Sequence, residues 1–210
     1  MAQAAVAVHT HEDEKQKQLS IANQKLAMWL YLASEVVIFS ILIGGYAIFR
    51  VNYPDNVHAV HEHAGLALVS LNTFLLLTSS WAMVMGLREI QRKNRRGFLQ
   101  WFGLMCALGV VFIVLQWFEY RELAGLEIVL GQITTAERLA EFGEFGSRFY
   151  APTAFHGAHV VIGVLWGLWV MWKGSQGRYD DNPVGVEIFG LYWHFVDVVW
   201  IILFTLIYLI

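Results

Sequence analysis

Residues 188–210 read IFGLYWHFVDVVWIILFTLIYLI, twenty-three positions holding one carboxylate, Asp197, and one histidine, His194. At about 1.5 Å of rise per residue, about 20 apolar residues in a helix cross a hydrocarbon core of about 30 Å. The stretch is long enough to span a membrane. Four earlier runs have the same character: 26–49, 64–87, 98–118 and 151–172. None alternates with a period of two, which argues against the strands of a transmembrane barrel, and a helix is the other way to satisfy every backbone N–H and C=O in lipid. Composition agrees, with 57% of the chain hydrophobic and 15% charged, where soluble domains are about half apolar and about a quarter charged. The expected fold is all-α: a polytopic bundle of five transmembrane helices forming one domain over 26–210, preceded by a flexible cytoplasmic tail over 1–25.

Orientation follows from the basic residues. Lys15, Lys17, Lys25, Arg88, Arg92, Lys93, Arg95, Arg96, Lys173 and Arg178 fall on one face, and Arg50, Arg121, Arg138 and Arg148 on the other. Cytoplasmic loops carry the excess of Lys and Arg, so the N-terminus is expected in the cytoplasm and the C-terminus outside. The first 20 residues lack an apolar core and a cleavage site, so no signal peptide is read there. A net charge of −3 gives no sign of nucleic-acid binding. The one cysteine, Cys106, lies mid-helix and is expected simply to pack.

The connections hold weaker signals. HTHEDE (9–14) reads as part of the solvated tail, and His58, His61, Glu62 and His63 as a polar outer rim rather than a metal site. The long third connection, 119–150, contains Thr134 and Glu137 at capping-box spacing, which predicts a short amphipathic helix near 135–142 on the outer surface. Its acidic character suits a basic partner such as a cytochrome c, although a solvated loop is the simpler reading.

Ionisable groups inside a membrane are costly and usually pair within the bundle or face a cavity. Here they are Glu35, Glu119, His156, His159, His194 and Asp197. Counting along each helix puts Glu35 and Asp197 about 13 Å from the cytoplasmic edge, His159 near the level of Glu35, and Glu119 with His156 in the outer half. Three readings compete: hydrogen-bonding partners that hold helices together, haem or metal ligands, and a proton relay. A metal needs three or four convergent ligands, and His156 with His159 supplies two. No catalytic residue and no metal site is assigned. Gly163 and Gly167, four apart, are expected to let a neighbouring backbone approach closely. Tryptophans including Trp29, Trp101, Trp172 and Trp193 read as an interfacial belt.

LYWHFVDVVW (191–200) together with FHGAHVVIG (155–163) strongly resembles subunit III of the haem–copper cytochrome c and quinol oxidases. SEVVIFSIL (34–42) and LQWFEYRE (115–122) resemble the carboxylate-bearing motifs of the same family, and the four occur in order across residues 26–210. The resemblance implies an accessory, lipid-binding subunit of a respiratory terminal oxidase, a translocase that couples oxygen reduction to proton pumping. It would stabilise subunit I and support its proton uptake, with subunit II and other membrane subunits nearby. Haem and copper would lie in those partners, with none in this chain, and phospholipid would be bound. The location implied is the bacterial inner (plasma) membrane. The chain is similar to the short five-helix bacterial form, since larger members have seven helices and a lipid cleft between the first two and the rest. Residue by residue, Glu35 matches the buried family carboxylate and His159 the second histidine of F-H-G-x-H, and the two are expected to pair. Lys173, beside Trp172, matches a basic position that meets a lipid head group, where an arginine is often found instead; a point charge replaces a fork. An equivalent subunit of a nitric oxide reductase and a haem- or metal-binding membrane anchor are the alternatives.

Overall fold

The computed structural model describes the backbone of residues 2–52, 66–133 and 136–209, and the side chains of 13–52, 66–121 and 151–209. The described residues form five helices: α1 Ala2–Asn52, α2 Leu66–Gln91, α3 Arg95–Ile133, α4 Ala136–Ser175 and α5 Val184–Phe204, the last continued by a π-helical turn, Thr205–Leu209. Each contains a segment long and apolar enough to cross a membrane: Asp13–Asn52, Leu66–Gln91, Arg95–Arg121, Ala151–Ser175 and Val184–Leu209. This is the expected five-helix, all-α bundle. α2 lies along α3 and α3 along α4, while α5 packs against α4, α2 and α1, and α1 also touches α4. The last helix, whose span is the most buried of the five, is the hub.

The helices run further than hydropathy alone implies. Residues 1–25, expected as a flexible tail, are helical from Ala2 onward. No Gly or Pro precedes Gly44, and Ala, Gln, Lys and Glu, all strong helix formers, fill the segment. The third connection is also largely helical. α3 continues to Ile133, and α4 starts at Ala136 and runs through Pro152 into the fourth span instead of ending as a short surface helix. Thr134 of the expected capping box, and His58, His61, Glu62 and His63, lie outside the described residues.

The core sits around α5. Trp193 is fully buried, with Trp200, Tyr192 and Phe189 in line along the helix against Phe98, Phe102 and Phe112 of α3. Trp193 was expected in the interfacial belt, yet it fills a slot made by two glycines. A Cβ on Gly163 would lie 2.6 Å from its Cζ3, and one on Gly109 would lie 3.1 Å from its Cη2. Gly163 thus admits an indole where a backbone was expected, and Gly167 likewise faces the side chains of Met105, Cys106 and Phe189. Trp29 and Trp172 remain exposed, as belt residues do.

At one end of the bundle two tight turns are clamped together. The α2–α3 turn bonds Asn94 N to Glu89 O and Lys93 N to Ile90 O, and the α4–α5 turn bonds Arg178 N to Lys173 O and Gly177 N to Gly174 O. Both are Schellman caps, which require a left-handed residue after the helix. Gly177 takes that place in one (φ 77°) and Lys93 in the other (φ 60°). Arg95 Nε donates to both carboxylate oxygens of Asp180 at 3.1 Å, and its Nη2 also bonds Oδ2. Hydrogen bonding from Arg95 holds the Asp180 carboxyl below its ordinary range. Lys25 of α1 meets Glu187 of α5 at 2.7 Å, tying the outermost helix to the hub at the same end.

Candidate functional site

The membrane-depth ionisable residues fall into three separate groups, each built where two or three helices meet. The first joins α1 to α4. His159 Nε2 lies 3.3 Å from Glu35 Oε2, and both side chains are almost wholly buried. The other ring nitrogen, Nδ1, is 2.8 Å from the Phe155 carbonyl oxygen. A carbonyl can only accept, so Nδ1 carries a proton and Nε2 faces Glu35 with either a lone pair or a second proton. The two groups meet within ion-pair distance, although Glu35 Oε2 makes no hydrogen bond among the described residues. Phe39 and Phe155 wall the pair at ring-centroid distances of 5.4 and 4.7 Å from His159. Tyr192 fixes the α4 backbone beneath by donating to the His159 carbonyl oxygen at 2.9 Å.

His156, one turn away on α4, looks elsewhere. Its ring stacks on Trp200 at 5.0 Å and 27°, with the edge of Phe112 at 5.9 Å. It is completely buried, and neither ring nitrogen has a hydrogen-bond partner among the described residues. Residues three apart point about 60° apart around a helix, and that rotation is enough to send two histidines of one motif to different neighbours.

The second group lies near the end of the apolar span of α3. Tyr208 donates to Glu119 Oε1 at 2.6 Å and Gln116 Nε2 donates to Oε2 at 3.2 Å. Arg50 of α1 donates to the Leu206 carbonyl at 2.9 Å, in the π-helical turn. A π turn shifts the backbone ladder to i→i+5 and changes which carbonyls are engaged. Sequence reasoning singled out Glu119 but neither Tyr208 nor Arg50 as its surroundings. The available signal was that all three are polar groups near the same ends of their apolar runs.

The third group sits between α2 and α5. Ser80 Oγ is 2.6 Å from His194 Nδ1, and Asp197 Oδ2 is 4.0 Å from the same nitrogen. Alongside it, Trp193 Nε1 donates to Ser79 Oγ at 3.1 Å and Trp200 Nε1 to Thr73 Oγ1 at 3.0 Å. The hydroxyls of α2 thus serve as acceptors for the indoles of the hub helix. Near the opposite end of α4, Lys173 Nζ stands 3.6 Å above the Trp169 ring, so the aromatic partner lies one helical turn back and is not Trp172.

With this geometry in view, sequence comparison gives the family. Residues 6–210 match the family described as cytochrome c oxidase subunit III. Cytochrome c oxidase subunit 3 of Synechocystis sp. is 38% identical over 182 residues, covering 86% of this chain and 72% of that one. The Bacillus sp. (strain PS3) protein of the same name is 31% identical, covering 93% and 90%. Cytochrome bo(3) ubiquinol oxidase subunit 3 of Buchnera aphidicola is 33% identical, covering 90% and 92%. A multi-pass bundle of the bacterial plasma membrane, this chain belongs to the cytochrome c oxidase subunit III family and is a subunit of a terminal oxidase complex.

Proposed function

We propose that the chain is a redox-silent accessory bundle that packs beside subunit I, keeps it in its working form and supports proton uptake into it. Haem and copper would reside in partner subunits, subunit II among them. The observation that carries this reading is that the ionisable groups at membrane depth go to separate places: Glu35 to His159, Glu119 to Tyr208, His194 to Ser80. Such contacts hold helices together, and converging ligands would be arranged otherwise. A haem does not fit at His156, since the Trp200 ring lies nearly parallel at 5.0 Å and a macrocycle would have to displace it. Among the described residues no three His, Cys, Asp or Glu side chains come close enough to share a metal ion.

Lys173 and the exposed Trp172 form the lipid-facing part of the proposal. An ammonium on a tryptophan face, with a second indole beside it, suits the phosphate of a phospholipid head group at the membrane interface. The N-terminus is assigned to the cytoplasm from the asymmetry of basic residues. In that orientation the Arg95–Asp180 clamp and the Lys173 site share the cytoplasmic face.

The test uses the oxidase with and without this chain. The expected result is an unchanged haem spectrum and initial rate, with faster loss of activity during sustained turnover when the chain is absent. A Soret band from the isolated chain, or haem lost along with it, would overturn the redox-silent assignment. Labelling of a cysteine at position 141 and not at 178 by an impermeant outside reagent is expected, and the reverse would invert the orientation.

A further inference from the structure

Three interior side chains carry polar atoms that meet nothing polar among the described residues: both ring nitrogens of His156 on α4, Oδ1 of Asn72 on α2 and Oε1 of Gln116 on α3. His156 and Asn72 are completely buried, and Gln116 is 5% exposed. A polar group so enclosed is costly unless it is given a hydrogen-bonding partner.

The contacts around Phe112 bring the three to one level of the bundle. Asn72 Nδ2 reaches the Phe112 carbonyl oxygen at 3.5 Å. In an α-helix that carbonyl also takes the N–H of the residue four further on, so the Asn72 amide stands beside Gln116. The edge of the Phe112 ring meets His156 at 5.9 Å, and Trp200 covers the imidazole by stacking on it. Trp200 in turn donates to Thr73, the neighbour of Asn72. α2 and α4 otherwise make little direct contact, each packing mainly on α3 and α5.

There is also room at this level. A Cβ on Gly109 of α3 would lie 2.8 Å from Val164 of α4, and one on Gly167 would lie 3.2 Å from Cys106, so the two helices run antiparallel. About two turns along α3 from Gly109 comes Gln116, and about two turns back along α4 from Val164 comes Gly157, so Gly157 faces Gln116. A Cβ on Gly157 would meet no heavy atom within 4 Å, whereas those on Gly163 and Gly167 would be crowded at 2.6 and 2.8 Å.

We propose that this space binds water, held by His156, Asn72 and Gln116 as a polar crosspiece between α2, α3 and α4. Water both donates and accepts, so it serves a ring nitrogen with or without its proton and an amide oxygen alike. Buried waters make about 3 hydrogen bonds each, to polar groups that the protein leaves otherwise unsatisfied. The test is radiolytic footprinting of the intact oxidase, in which an X-ray pulse splits water into hydroxyl radicals that oxidise the nearest side chains. Radicals from bulk solvent do not reach fully buried rings, so oxidation there reports water bound inside. Oxidised His156, Phe112 or Trp200 is expected, while Trp193, an equally buried indole whose Nε1 bonds Ser79, stays unmodified. No label on the first three, or equal label on Trp193, would overturn the site. His156→Phe keeps a ring on Trp200 and should abolish the label there, and Asn72→Leu should lower it, both in complexes with an unchanged unfolding temperature. Undiminished label in His156→Phe would overturn His156 as a ligand. Should that variant not assemble, undiminished label in Asn72→Leu overturns the crosspiece.

Discussion

Replacing Glu35 separates the possible ways in which the α1–α4 contact is held. His159 Nδ1 is engaged by the Phe155 carbonyl, so Nε2, 3.3 Å from Glu35 Oε2, is the nitrogen that a substitution at position 35 reaches. Glu35→Gln keeps a polar group of nearly the same shape, so it should cost under about 1 kcal/mol. Glu35→Leu removes the polar contact, worth about 1 kcal/mol at most, and strands a ring nitrogen in a site that is almost wholly buried, which adds about 1 kcal/mol more. Measured interhelical hydrogen bonds in membranes average about 0.6 kcal/mol, so about 2 kcal/mol is the upper expectation. That corresponds to about a thirtyfold shift in the folded fraction. The assay is denaturant titration of the purified oxidase in detergent, following release of this chain, for Glu35→Gln, Glu35→Leu, His159→Leu and the Leu–Leu double variant. The double variant should lose about 1 kcal/mol less than the sum of the singles, because no stranded partner remains. Strict additivity, or equal costs for Gln and Leu at position 35, would refute the Glu35–His159 contact.

Lys93 holds the left-handed cap position that Gly177 holds in the twin turn, so Lys93→Gly should stabilise by about 0.5–1 kcal/mol, read as a rise in unfolding temperature. Gly163→Ala drives a methyl into Trp193 and should cost about 1–3 kcal/mol. Gly157→Ala, whose Cβ meets nothing within 4 Å, should be neutral or stabilising by up to about 1 kcal/mol in the same thermal scan. The Asp180 carboxyl has its folded-state value lowered by Arg95, so the stabilisation it gives is complete above its ordinary value of 3.8 and is lost as pH falls below that. The protection of amides 176–183 relative to their intrinsic exchange rates should therefore fall below about pH 4 and in high salt, while in Asp180→Asn it should be low throughout and insensitive to both.

Depth along a helix is linear in residue number, whereas direction around it turns by about 100° at each residue. That difference accounts for what the sequence revealed. The five spans needed only length and apolarity, and Glu35 and His159 needed only similar depths to be considered together. Direction was the harder quantity. His156 and His159 belong to one short motif, yet one ring lies flat on Trp200 and the other meets Glu35. Lys173 was read with its sequence neighbour Trp172, but the indole on its own face is Trp169, four residues back. Trp193 carries the character of a belt residue, and only the two glycines on α3 and α4 that clear space for its ring make it a core residue. Those two glycines and Trp193 sit on three different helices, a relation that no window along the chain contains. Helix ends followed the same logic, since α1 and α4 continue well past the hydrocarbon edge on backbone propensity that hydropathy does not register.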